Sequence, residues 1–121
     1  MEIAYVNVFV SDLAKAADFY EHVLGLEKKF GDPEHGYASF AAGPVALGLA
    51  VPGDAQRDMI GHHTGVGFSV ADLEAEHARL AAAGVHFTEP PERYPWGGFM
   101  ALFADPDGNV YYLDEVSAAH P

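Results

Sequence analysis

The sequence predicts an α+β fold built from two tandem βαβββ units, and three observations predict it. Val8-Phe9-Val10-Ser11-Asp12-Leu13 is echoed, about sixty residues later, by Phe68-Ser69-Val70-Ala71-Asp72-Leu73. Each copy runs into a short amphipathic helical stretch that stops at a glycine, Leu24-Gly25-Leu26 in one and Ala83-Gly84-Val85 in the other. Short β-rich runs separated by turn signals then follow in both copies. A repeat of this length is one supersecondary unit that cannot bury its apolar face alone, so two copies are expected to pack together.

The elements follow in order. Residues 3–10 are rich in β-branched and aromatic side chains and read as a strand. Ser11 or Asp12 is placed to cap a helix in which Leu13, Ala16, Ala17, Tyr20, Val23 and Leu24 recur at helical spacing as one buried stripe. Gly25 supplies the left-handed residue that ends it. Residues 26–30, 37–41 and 45–51 are three short strands, divided by Gly31-Asp32-Pro33 and Ala42-Gly43-Pro44. Residues 52–64 carry Pro, Gly, Asp and Gln with little periodicity and read as the linker between copies. The second copy repeats the order: a strand over 65–70, a helix over 72–83, a short strand over 85–88 and a Pro-rich loop over 89–96. A closing hairpin over 99–104 and 110–115 turns on Asp105-Pro106-Asp107-Gly108-Asn109. The tail after Val116 is expected to fray.

Composition narrows the function. Residues 1–121 are expected to form one domain, with unit one over about 3–51, the linker over about 52–64 and unit two over about 65–116. Hydrophobic residues make up 50% of the chain, yet no apolar run approaches a membrane span, and the N-terminus lacks a signal peptide's basic region. A cytoplasmic protein is the default expectation. Cysteine is absent, which excludes a disulfide framework, a thiolate nucleophile and a sulfur metal site. The net charge of −12 repels phosphate backbones and anionic lipid, so neither nucleic acid nor a membrane surface is an expected partner. The acidic residues are spread along the chain, so the charge says less about the ligand than the aromatic residues do.

The order of elements, the Ser11-Asp12-Leu13 and Phe19-Tyr20-x-x-Val23-Leu24-Gly25 stretches and the closing Asp105-Pro106-Asp107-Gly108-Asn109 together resemble the vicinal oxygen chelate superfamily. That superfamily holds glyoxalase I, extradiol dioxygenases, fosfomycin resistance enzymes and the bleomycin resistance proteins. The resemblance covers about residues 3–115. It implies that the strands curl into a curved mixed sheet cup with helices outside and the ligand inside. It also implies a divalent metal held from the first and last strands of each unit by His, Gln or Glu.

Matched onto this chain, those four metal positions are Tyr5, Gly48, Gly65 and Tyr112. Glycine has no side chain, and a neutral phenol is a poor ligand for a hard divalent ion. His62 and His63 lie close by, but two imidazoles with no carboxylate at strand spacing make an incomplete site, and they read as solvated linker residues. The expectation is therefore no metal and no cofactor.

Side-chain alternation suggests what replaces the metal. In Val45-Ala46-Leu47-Gly48-Leu49-Ala50-Val51 one face is Val, Leu, Leu, Val and the other is Ala, Gly, Ala. Gly65, Gly67 and Ser69 likewise alternate with Val66, Phe68 and Val70. Small residues on the ligand faces leave room, although they would also let another element approach closely. Tyr5, Asn7, Tyr37, Trp96, Phe99 and Tyr112, with Gly48 and Gly65, are the candidate ligand-binding residues. Aromatic walls with a few polar tips suit a flat organic ligand. Two hypotheses follow. The first is a non-catalytic protein that sequesters a hydrophobic aromatic small molecule, a drug or antibiotic, as the metal-free branch of the resembled superfamily does; that branch also implies a homodimer. The second is a metal-independent isomerase, cyclase or lyase on an aromatic or polyketide-like substrate, with Asp114 or a tyrosine hydroxyl moving the proton.

Overall fold

The helix-capping signals, the glycine stops and the period-two strands all operate in the computed structural model, which describes residues 1–116 of the 121. The tail expected to fray after Val116 lies outside the described residues. The chain divides into two units, residues 1–62 with 106–109, and residues 63–105 with the strand from Val110 onward.

The first unit runs β1 (Tyr5–Phe9), α1 (Leu13–Asp18), β2 (Glu27–Asp32), β3 (Tyr37–Ala42) and β4 (Val45–Ala50). Its sheet order is β1-β4-β3-β2, with β1 parallel to β4 and the remaining pairs antiparallel. Asp12 caps α1 by accepting from the Lys15 N–H at 3.1 Å, which satisfies one of the orphan donors of the first turn. The apolar stripe predicts one α-helix as far as Leu24, but α1 ends at Asp18 and continues as a π-helical turn, Phe19–Val23. The Leu24 N–H donates to the Phe19 carbonyl at 2.9 Å, five residues back. A π turn holds more residues than an α turn. Here it carries Tyr20 to full burial, its ring centroid 6.1 Å from that of Phe40. Val8, Val10, Ala16, Ala38, Leu47 and Leu49 complete this core.

The second unit runs β5 (His63–Val70), α2 (Leu73–Ala82), β6 (His86–Arg93), β7 (Phe99–Ala104) and β8 (Val110–Glu115). It repeats the topology as β5-β8-β7-β6, again with one parallel pair, β5 with β8. Asp72 caps α2 through the Ala75 N–H at 3.1 Å, as Asp12 does in the first copy. Phe68, Phe87, Phe103 and Tyr111 gather under α2, with Phe103 and Tyr111 stacked at 5.5 Å.

Two expectations are corrected. The linker over 52–64 contains a 3-10 stretch, Asp54–Met59, and its last two residues already belong to β5. Thr64 is held there because its hydroxyl donates to the Val110 carbonyl at 2.7 Å. The loop read over 89–96 is largely strand, since β6 continues through Pro90 and Pro91 to Arg93. Proline removes a ladder donor, which an edge strand tolerates when the missing N–H would face away from its neighbour. Irregular register between Phe87 and Glu92 accompanies the two prolines.

The turn after β7 does more than reverse the chain. Asn109 is buried, 2% exposed, and its Nδ2 donates to the Phe9 carbonyl at 2.9 Å while its Oδ1 accepts from the Gly61 N–H at 2.9 Å. Asp107 accepts from both the backbone N–H and the hydroxyl of Ser11. Residues 106–109 therefore belong to the first unit, anchored beside the end of β1.

Candidate ligand-binding site

In each sheet a helix covers one face, and the residues alternating with that core line the other, here the open face. On the first unit's open face, Asn7, Gly48 and Ser39 form one cross-strand row. Tyr5, Ala46 and Ala41 form the row on one side of it, and Phe9, Ala50 and Tyr37 the row on the other. Ala46, Gly48 and Ala50 keep the floor low. The Tyr37 hydroxyl donates to Asn7 Oδ1 at 3.4 Å across Gly48. A Cβ placed on Gly48 would stand 2.2 Å from Asn7 Oδ1 and 2.5 Å from the Tyr37 oxygen. Asn7, Tyr37 and Gly48 thus meet at one point. Tyr5 shares their face, one row away, and is 55% exposed. Sequence reading missed Phe30, whose ring lies 6.4 Å from that of Tyr37. Simple alternation puts it on the face of Lys28, opposite the buried Phe40; the register shift between Lys28 and Phe30 turns it to the open face opposite Ser39, so the sequence carries no signal of it.

The second unit's open face carries the rows Gly67, Tyr112, Leu102, Glu89 and Ser69, Asp114, Met100, Glu92. Gly65, one of the four matched metal positions, does not pair with Tyr112. It has φ +73°, and the register slips around it, so that His63 pairs with Val110 whereas Gly67 pairs with Tyr112. Only glycine takes that backbone angle without strain. The same slip corrects the reading of His63 as a solvated linker residue, because its ring sits edge-on to Tyr112 at 4.9 Å. His62 does lie in the turn before the strand, its ring nitrogen bonded to the Asp58 carbonyl.

Phe99 is also placed differently. Register puts Met100, Leu102 and Ala104 on the face of Tyr112, which leaves Phe99 with Ala101 and Phe103 on the helix side. The Arg93 guanidinium covers its ring at 4.4 Å, a cation–π contact. Trp96 lies at the tip of the β6–β7 hairpin, which is closed by the Tyr94 N–H donating to the Gly98 carbonyl at 2.8 Å. Its indole stacks on Tyr94 at 5.7 Å and covers Gly98, where an added Cβ would be 2.2 Å from the ring. Trp96 remains 53% exposed.

Tyr94 is a second aromatic that sequence reading left out. Its hydroxyl donates to Glu89 Oε2 at 3.4 Å. Desolvation raises its pKa above the ordinary phenol value, and the charges of Glu89 and Glu92 add to the shift. Extending the β6 alternation through the prolines puts Glu92, Tyr94 and Trp96 on one face, and that is the signal that would have found it.

The donor set does not suit the divalent metal that the resemblance implies. The space a ligand side chain would need at position 48 is filled by Asn7 and Tyr37, and position 65 has slipped out of its row. Among the described residues, no group of three or more His, Cys, Asp or Glu side chains could hold a metal ion.

Known proteins share this arrangement. Residues 2–111 match the family model described as the Glyoxalase/Bleomycin resistance protein/Dioxygenase superfamily. A member of that superfamily from Sphaerobacter thermophilus is 33% identical and superposes with a TM-score of 0.83, over 96% of this chain and 98% of that one. TnmS3, an antibiotic binding protein from Streptomyces sp. CB03234, is 31% identical with a TM-score of 0.81, over 97% of each chain. Lactoylglutathione lyase from Agrobacterium tumefaciens is 25% identical with a TM-score of 0.77, over 94% of this chain and 92% of that one. An antibiotic binding protein and a lactoylglutathione lyase thus share the scaffold. The doubled βαβββ topology, the match to nearly the whole chain and these likenesses agree: the chain belongs to the glyoxalase/bleomycin resistance protein/dioxygenase superfamily.

Proposed function

We propose that this protein binds and sequesters a hydrophobic, aromatic small molecule, such as a drug or antibiotic, without transforming it. The observation that carries the reading is the Gly48 position, where Asn7 and Tyr37 converge over a floor with no side chain to hold a metal. Tyr5, Phe30 and Tyr37 in one unit, and Tyr94, Trp96 and Tyr112 in the other, offer flat apolar surface with few polar tips. Aromatic contacts of this kind contribute about 0.5–1.5 kcal/mol each beyond area burial. Several together support micromolar affinity without covalent chemistry. The likeness to an antibiotic binding protein over almost the whole chain supports the same reading. We further propose a cytoplasmic homodimer, in which pairing across a twofold covers exposed strand edges.

Trp96 makes binding readable, being the chain's only tryptophan. A planar aromatic antibiotic should change its fluorescence saturably and be recovered unchanged. Trp96→Ala should weaken binding by about 1–3 kcal/mol, the range for an aromatic anchor, and leave the fold intact because the indole rests on the surface. A panel of polycyclic and glycopeptide antibiotics that leaves the fluorescence unmoved would refute the reading.

One observation favours the alternative of a metal-independent enzyme. Tyr112 and Asp114 share the open face of β8, with His63 beside the former. Recovery of a converted product, abolished by Tyr112→Phe or Asp114→Asn, would establish turnover.

A further inference from the structure

Resting on the aromatic-binding reading, we infer that His63 is a fixed hydrogen-bond donor that selects ligands bearing a carbonyl oxygen on the edge of the aromatic system. The argument begins with the backbone. Gly65 turns through φ +73°, and this points its N–H back at the His63 ring, where it donates to Nδ1 at 3.0 Å. A nitrogen that accepts a hydrogen bond carries no proton, so the neutral imidazole holds its single proton on Nε2. The bulge therefore sets the tautomer as well as the position. The Tyr112 ring, edge-on at 4.9 Å, holds the imidazole against the open face of the second sheet, where it remains exposed.

The groups around it sharpen the selection. On the same face stand the carboxylates of Glu89, Glu92 and Asp114 and the apolar Met100 and Leu102. Carboxylates are acceptors, and they disfavour an anionic ligand. The Nε2–H is a donor that suits a neutral acceptor carried beside an aromatic ring. A ring ketone or quinone-type oxygen satisfies it, whereas the bare hydrocarbon leaves the donor without a partner once the ligand excludes water. A neutral hydrogen bond of this kind corresponds to about a three- to tenfold gain in affinity.

The test uses a pair of probes of one shape, 2-aminofluorene and 2-aminofluorenone, which differ by the carbonyl alone, titrated calorimetrically into the full chain. Wild type should bind both and favour the ketone by about three- to tenfold. His63→Leu should erase the preference while still binding both probes, aminofluorene at least as tightly as wild type because no donor is left unpaired, so that a folding defect is distinguished from loss of the donor. His63→Gln, whose amide nitrogen reaches the place of Nε2, should keep part of the preference. Equal binding of the two probes by wild type, or a ketone preference that survives in His63→Leu, overturns the inference and leaves aromatic binding standing. Failure of both probes to bind removes the aromatic-binding reading, and this inference with it.

Discussion

Replacing Gly48 by alanine tests the site with one methyl group. The new Cβ would stand 2.2 Å from Asn7 Oδ1 and 2.5 Å from the Tyr37 hydroxyl. Each oxygen must retreat by about 1 Å to reach ordinary contact distance. Both are the far ends of side chains on the open face, so they swing aside and the backbone stays. The hydrogen bond between them, 3.4 Å long, is lost at about 0.5–1.5 kcal/mol. Alanine in a strand recovers about 0.5–1 kcal/mol relative to glycine. The two nearly cancel, so the melting temperature should move by less than about 4 °C, the shift for 1 kcal/mol between the ranges for 60–100 and 150–250 residues. Binding does not cancel. Displacing Tyr37 forfeits an aromatic contact of about 0.5–1.5 kcal/mol, and displacing Asn7 forfeits a polar tip, so affinity should fall about five- to thirtyfold. Gly67→Ala is the control. Its Cβ would meet Tyr112 Cβ at 3.5 Å and Asp114 Oδ2 at 3.7 Å, which is ordinary contact. That variant should be slightly stabilised and bind almost as wild type. Thermal melts and ligand titration on both variants check the argument. Unchanged affinity in Gly48→Ala, with Asn7 and Tyr37 still in place in its crystal structure, would refute it.

Three further outcomes follow from the same structure. Asn109→Ala strands the Phe9 carbonyl and the Gly61 N–H, and should cost about 2–4 kcal/mol in urea denaturation, at one to a few kcal/mol per buried group left unsatisfied; a cost below about 0.5 kcal/mol would show that the turn does not anchor the first unit. Elemental analysis after expression in metal-supplemented medium should find less than about 0.1 equivalent of Zn, Ni, Mn or Fe, against one ion for a four-ligand site; a stoichiometric metal would overturn the sequestration reading. The fold raises the pKa of Tyr94 above the ordinary 10.0, so it favours the protonated phenol. That contribution to stability is complete below the ordinary pKa and lost as pH rises through the folded value. Tyr94→Phe should therefore flatten the alkaline loss of stability; an unaltered alkaline profile would count against the assignment.

The fold was legible where local signals and pairing agree. Asp12 and Asp72 each precede an apolar stripe, and each does cap a helix. The strands of the closing hairpin fall at 99–104 and 110–115, because the Pro-Asp-Gly-Asn turn between them is specific to reversal. Legibility ended where a residue's type points one way and its neighbours another. Pro90 and Pro91 argue for a loop on propensity, but an edge strand paired on one side only has room for them. The π turn at Phe19–Val23 has no sequence signature of its own, and it follows from the burial that Tyr20 gains against Phe40.

The site was half legible for a related reason. In the first unit, β1 and β4 pair without interruption, so counting along the strands places Asn7 beside Gly48. In the second, the position matched on the first strand is Gly65, and the match is sound as far as sequence goes. It fails because partners, not positions, decide which residues share a row. Between His63 and Gly67 the strand advances four residues while β8 advances two, from Val110 to Tyr112. A slip by an even number keeps every side chain on its own face, so alternation gives no warning of it. The row beside Tyr112 passes from Gly65 to Gly67, and His63 comes within ring contact of the tyrosine. A glycine at φ +73° inside a strand is the physical mark of that slip. In sequence it is only one more small residue in a run of small residues. Reading it as an empty position and reading it as a hinge are equally consistent with Thr64-Gly65-Val66-Gly67, and only the pairing with β8 tells them apart.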